Sequence, residues 1–143
     1  MTTSLTMAQI FLILGASIMG VLGSLHLAYT FFSNKFDPYD SEIKSELEKT
    51  TLIISKNALF WNAWVGFNAS HSFGAILVAL FYIPLTIQYD SMLQNSTWFT
   101  LFPIVVGLSY LYLAKRYWFI IPTVGMSIAT LCFVVAGYLY NIV

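Results

Sequence analysis

Hydrophobic positions gather into four blocks along the chain, Met7–Phe32, Leu59–Ile87, Trp98–Ala114 and Phe119–Tyr140, separated by three polar connections. A helix crosses a bilayer in about 20 residues, with a range of roughly 17–25. The first two blocks exceed that length and are expected to tilt or project beyond the membrane. The third is at the short limit. An open strand in hydrocarbon leaves backbone groups unpaired, so every span is predicted to be helical. Pro84, Pro103 and Pro122 fall toward block ends rather than centres, which suits those borders.

The connections differ in character. The first, "SNKFDPYDSEIKSELEKTTLIISKN", carries most of the charge in the chain. Asp37-Pro38 and Asp40-Ser41 offer N-cap and N1 chemistry. Ile43, Leu47, Thr50/Thr51 and Ile54 then recur at helical spacing, predicting an amphipathic helix on the membrane surface. Such a helix is either a docking surface or a solvated linker that caps the bundle. The second connection, near Gln88–Thr97, is a short polar loop. The third is little more than "KRYW", which forces an antiparallel hairpin. The expected fold is therefore all-α: a single-domain, four-span integral membrane four-helix bundle over residues 1–143, with a surface helix between spans one and two.

Composition agrees. Of 143 residues, 59% are hydrophobic and 8% charged, whereas a soluble domain carries roughly 25% charged residues. Net charge is zero and no long basic cluster exists, which argues against a nucleic-acid partner. The apolar stretch at the start lacks a basic leader and outruns a signal-peptide core of roughly 7–15 residues, so it is read as a retained span. Lys35, Lys44, Lys49, Lys56, Lys115 and Arg116 all lie in the first and third connections. Positive-inside bias then places both termini outside the cytoplasm. Tyr29, Trp61, Trp64, Tyr112, Tyr117 and Trp118 suit the inner interface, and Tyr82, Tyr89, Trp98, Tyr138 and Tyr140 the outer one. Cys132 is the one cysteine and reads as a small buried hydrophobe.

Helices in lipid approach through small residues. Ala16, Gly20 and Ser24, with Gly23 alongside, form one such ladder in span one, and Gly66, Ser70 and Gly74 form another in span two. Span four offers Gly125, Ala129, Ala136 and Gly137. Spans one and two are expected to meet along these two ladders.

Packing leaves a polar group unexplained. Asn68, His71 and Ser72 share a helical stripe with Trp61, Trp64 and Ala75, and His26 in span one shares a stripe with Gly23 and Thr30. An ionisable residue within a span marks a functional site by default. Several readings stay open. In one, the histidines serve as interhelical adhesive, His71 bonded to Asn68 or Ser72 and His26 to Thr30, within a structural subunit of a larger complex or a homo-oligomer. Alternatively, His26 and His71 are axial metal ligands of a b-type haem, with hydroxyl and amide neighbours fixing their tautomers. In a third reading, His71, Asn68 and Ser72, ringed by Trp61, Trp64 and Phe67 and joined by His26 and Thr30, bind a quinone, a membrane-lipid headgroup or another apolar ligand bearing a carbonyl. Catalysis with His71 as general base would extend that reading, but the nearest carboxylates, Asp37 and Asp40, lie in the surface loop. A transporter is disfavoured because no span is broken in mid-membrane.

Two segments, "HLAYTFFSNKFDPYD" and "FWNAWVGFNASHSFG", together resemble a family of small bacterial membrane proteins with four spans. The shared elements are a His in span one, an F-x-P-x-D loop start and a W-x-A-W-x-G-F-N-x-S-H-S block. They map to His26, to Phe36, Pro38 and Asp40, and to Trp61–Ser72. The family pattern has a basic residue before that Asp, where this chain has Tyr39, so the role of that charge does not carry over. The resemblance implies a bacterial inner-membrane location and a site shared by His26 and His71, and it brings no activity with it.

Overall fold

In a computed structural model that describes residues 6–142, the four blocks become four long helices. They are α1 (Met7–Phe32), α3 (Phe60–Gln88), α5 (Thr97–Tyr117) and α6 (Ile120–Ile142). Between them lie α2 (Ser41–Leu47), a two-stranded hairpin of β1 (Thr51–Leu52) and β2 (Ser55–Leu59), and α4 (Asp90–Asn95). Residues 1–5, which enter the reading of the leader, lie outside the described residues. Contacts divide the chain into two compact units, Met1–Leu22 with Ala75–Val143, and Gly23–Gly74. The helices α1 and α3 each run through both.

Buried positions on the long helices include series spaced by three and four residues. On α1 these include Ala8, Leu12, Ala16, Met19 and Gly23, and on α3 Asn68, Ser72, Ala75, Ala79, Tyr82 and Thr86. On α6, Met126, Ala129, Thr130, Phe133, Ala136 and Gly137 repeat the pattern. Spacings of three and four put such residues on one face of a helix, the face that packs in a helical bundle.

In the first unit, glycine permits the closest approaches. A Cβ on Gly15 would lie 2.7 Å from the Phe133 ring and 3.0 Å from the Ala129 carbonyl oxygen; one on Gly20 would lie 2.7 Å from the Ala79 Cβ. Span one therefore packs on Ala79. The expected Gly66/Ser70/Gly74 ladder does not form: Gly66 and Ser70 are exposed, and a Cβ on Gly66 would meet nothing within 4 Å. The reason is rotational. The buried seam of α3 follows Asn68 and Ser72, and the Gly66/Ser70 stripe lies to one side of it.

Polar ties close the first unit at the end remote from the basic residues. Thr6 and Gln9 form a capping box, the Thr6 amide on Gln9 Oε1 (2.7 Å) and the Gln9 amide on Thr6 Oγ1 (3.3 Å). Gln9 Nε2 also donates to the carbonyl of Thr86 (3.2 Å), near the end of α3 where intrahelical donors run out. Pro103 lies inside α5 and has no N–H for the carbonyl of Phe99 one turn earlier. The hydroxyl of Tyr82 donates to that carbonyl instead (3.1 Å). Tyr140 donates to Asp90 (2.6 Å) and Asn141 to Thr100 Oγ1 (2.7 Å).

In the second unit the predicted surface helix is cut short. Asp40 caps α2 as expected, accepting the Glu42 amide (2.9 Å), but the helix ends at Leu47 and buries none of its residues. The segment read as its continuation is a hairpin, with Thr51 opposite Leu59 and Leu52 opposite Ser55. Thr50-Thr51-Leu52-Ile53-Ile54 is rich in β-branched residues, which crowd a helix and suit an extended chain. Helical spacing between Ile43 and Leu47 does not outweigh that run.

Candidate functional site

The site is built within the second unit, from the end of α1, the loop after it and the start of α3. Helical geometry puts Trp64, Asn68 and Ser72 one turn apart on α3, on or beside its buried seam. Asn68 is 1% exposed and Ser72 0%. A fully buried amide needs partners, and Asn68 has them on both atoms. Its Nδ2 donates to the Trp64 carbonyl (2.8 Å), and its Oδ1 lies 3.0 Å from His26 Nε2 on the other helix. A carbonyl only accepts, so the amide is fixed with its nitrogen toward Trp64 and its oxygen toward His26. His26 must then carry its proton on Nε2 to donate.

The imidazole of His26 is held on a second side by Phe36, the aromatic residue of the loop start, with ring centroids 4.5 Å apart. Phe36 is itself tied down. Its carbonyl accepts the indole N–H of Trp64 (3.3 Å), and Tyr29 packs edge-on against its ring at 6.4 Å. His71 lies beside this assembly, its ring centroid 5.6 Å from that of His26 and tilted by 57°. Both histidines are half-buried, and Trp64 is 39% exposed.

Two predicted pairings are corrected. Thr30 does not touch the imidazole of His26: its hydroxyl donates to the His26 backbone carbonyl (2.8 Å). Ser72 likewise donates to the backbone carbonyl of Asn68 (2.8 Å). Short hydroxyl side chains on helices bond back one turn, whereas the longer amide reaches across to the neighbouring helix. Asn68 consequently orients His26, on the opposite span from the one expected. Thr30 and Ser72 stabilise the local backbone and satisfy themselves.

Beside this group the loop supplies two cations. Lys44 pairs with Asp37 at 2.9 Å and sits 5.0 Å over the Trp61 ring; Lys35 lies 3.8 Å over Tyr29. The hydrogen bond to Asp37 holds the Lys44 ammonium above its ordinary range despite partial desolvation. Trp61 and Asp37 lie where the sequence reading put them, beside the site, whereas Phe36 and Lys44 are additions of the structure; Phe36 belongs to the loop-start pattern, and nothing local distinguishes Lys44.

The Asn68 bond engages Nε2 of His26, so ligation of a haem iron through that nitrogen would require the bond to break, and Phe36 stacks against the ring. Among the described residues no cluster of three or more His, Cys, Asp or Glu surrounds the pair to make another metal centre.

Four helices of this length and apolarity, with side chains such as Leu77, Leu80 and Leu131 exposed near mid-span, define an integral membrane protein of the multi-pass, four-helix-bundle class. Comparisons with protein-family profiles, with curated proteins and with solved structures return no match to this chain.

Proposed function

We propose that the protein is a non-catalytic membrane module that binds an apolar ligand bearing a carbonyl, such as a quinone or a lipid ester, beside the His26–His71 pair. One observation carries this reading: the His26 imidazole is oriented by a dedicated chain running from the Trp64 carbonyl through Asn68, with Phe36 against its face. Pre-oriented polar groups within an otherwise apolar, aromatic-walled setting are the usual makings of a small-molecule site. Thermal unfolding of the detergent-solubilised protein tests it, with a quinone panel in one arm and diacyl lipids in the other. Stabilisation by one panel, abolished in His71→Ala, is expected. Failure of both panels to shift the transition overturns it.

A structural subunit is the second reading, favoured by the same His26–Asn68 bond, since it joins two spans and explains both residues as adhesive. In that case His71→Ala leaves stability and ligand response unchanged, while Asn68→Leu weakens assembly with partner subunits or a second copy.

The concentration of Lys35, Lys44, Lys49 and Lys56 between α1 and α3, with Lys115 and Arg116 at the end of α5, supports an inner-membrane topology with both termini outside the cytoplasm. Reporter fusions at either terminus that are active only in the cytoplasm would refute it when they light up.

A further inference from the structure

A second feature lies at the turn between α5 and α6, apart from the histidine group in composition. An open groove of about 520 Å³ is lined by Leu111, Lys115, Trp118, Phe119, Ile120, Thr123 and Ser127. Its volume is within the roughly 300–1,000 Å³ of ligand pockets. The lining is graded by depth. Lys115 and Trp118 sit at the helix ends, Leu111 is one turn (about 6 Å) further along α5, and Ser127 is about 10 Å along α6 from Ile120. Lys115 is exposed and makes no ion pair among the described residues, where Lys44–Asp37 is the pair formed. Among the described residues that line the groove none is acidic. Deeper in, the hydroxyls of Thr123 and Ser127 donate to carbonyls of their own helix, at 3.0 and 2.8 Å, so they place no unpaired donor against an apolar chain.

We propose that this groove is a binding site for an anionic phospholipid. Lys115 receives the phosphate at the mouth, Trp118, Phe119 and Ile120 sit at headgroup level, and an acyl chain runs inward along Leu111 past Thr123 and Ser127. Charge complementarity selects this occupant over a zwitterionic lipid, because an unpaired cation between spans at the basic end of a membrane protein faces the anionic leaflet.

Native mass spectrometry of the whole protein in neutral detergent tests the site, with dioleoylphosphatidylglycerol and dioleoylphosphatidylcholine as probes. A surface lysine is worth about a fivefold preference for anionic lipid, so retention of the first over the second by about that factor is expected. Lys115→Gln abolishes the preference, and Arg116→Gln, which alters the adjacent cation outside the groove, keeps it. Thr123→Trp fills the groove and releases both lipids. The proposal is overturned if Lys115→Gln keeps the preference, if Arg116→Gln loses it equally, or if Thr123→Trp retains both lipids. The two exposed cation variants remain informative even if Thr123→Trp fails to fold.

Discussion

Replacing Asn68 by leucine removes the oxygen that accepts the His26 Nε2–H at 3.0 Å and keeps the number and branching of the side-chain heavy atoms. A side-chain hydrogen bond between membrane helices averages about 0.6 kcal/mol and reaches about 1.7. Leaving a buried donor without its acceptor costs about 1–3 kcal/mol, and the lower part of that range applies because His26 is half-buried. The expected loss is therefore about 1–2 kcal/mol. A double-mutant cycle with His26→Phe isolates the bond itself, and its coupling energy should lie between about 0.6 and 1.7 kcal/mol. Reversible unfolding in mixed micelles supplies the four stabilities. Nitrogen NMR of the wild type should show the proton on Nε2 of His26, lost as a fixed tautomer in Asn68→Leu. Coupling below about 0.3 kcal/mol, with an unchanged His26 tautomer, would refute the orientation of His26 by Asn68. Ser72→Ala is the control. Its hydroxyl bonds only within α3, so it should shift stability by no more than about 0.5 kcal/mol.

Three further outcomes follow from the packing and the loop. Gly20→Ala puts a methyl 2.7 Å from the Ala79 Cβ and should cost about 1–3 kcal/mol by overpacking, whereas Gly66→Ala meets nothing and should be neutral or stabilise by up to about 1 kcal/mol, both read from the same unfolding assay. Tyr82→Phe leaves the Phe99 carbonyl unpaired because Pro103 has no N–H to offer; a loss of about 1–3 kcal/mol is expected, and it should shrink in a Pro103→Ala background that restores the helical donor. The Lys44–Asp37 pair stabilises the loop while Lys44 is charged. Its raised pKa makes that contribution full below the ordinary lysine value of 10.5 and lost as pH climbs past the folded value, so proteolysis of the loop should accelerate there in wild type and be pH-independent in Asp37→Asn.

Span positions were legible in the one-dimensional pattern because a bilayer imposes a length and an apolarity on any helix that crosses it, and the blocks match α1, α3, α5 and α6 to within a few residues. The stripe that holds Asn68 and Ser72 was legible for a related reason: residues three and four apart on a helix share a face whatever surrounds it. The Asp40 cap is similarly local. By contrast, which face of α3 turns inward depends on how the helices are rotated against one another. The Gly66/Ser70 stripe and the Asn68/Ser72 stripe both offer small or polar residues, and only the packed structure chose the second. The same holds for partners. Sequence spacing could name His26, Asn68 and His71, but it could not say that the amide would cross to His26 while both hydroxyls turned back on their own helices, since that outcome rests on side-chain reach between helices. The contribution of Phe36 needed the loop to fold over the end of α1, and the loop in turn obeyed its β-branched run over its helical spacing. Length, apolarity and local chemistry thus specify the spans and the candidates, and the rotation and register of one helix against another decide which candidates meet.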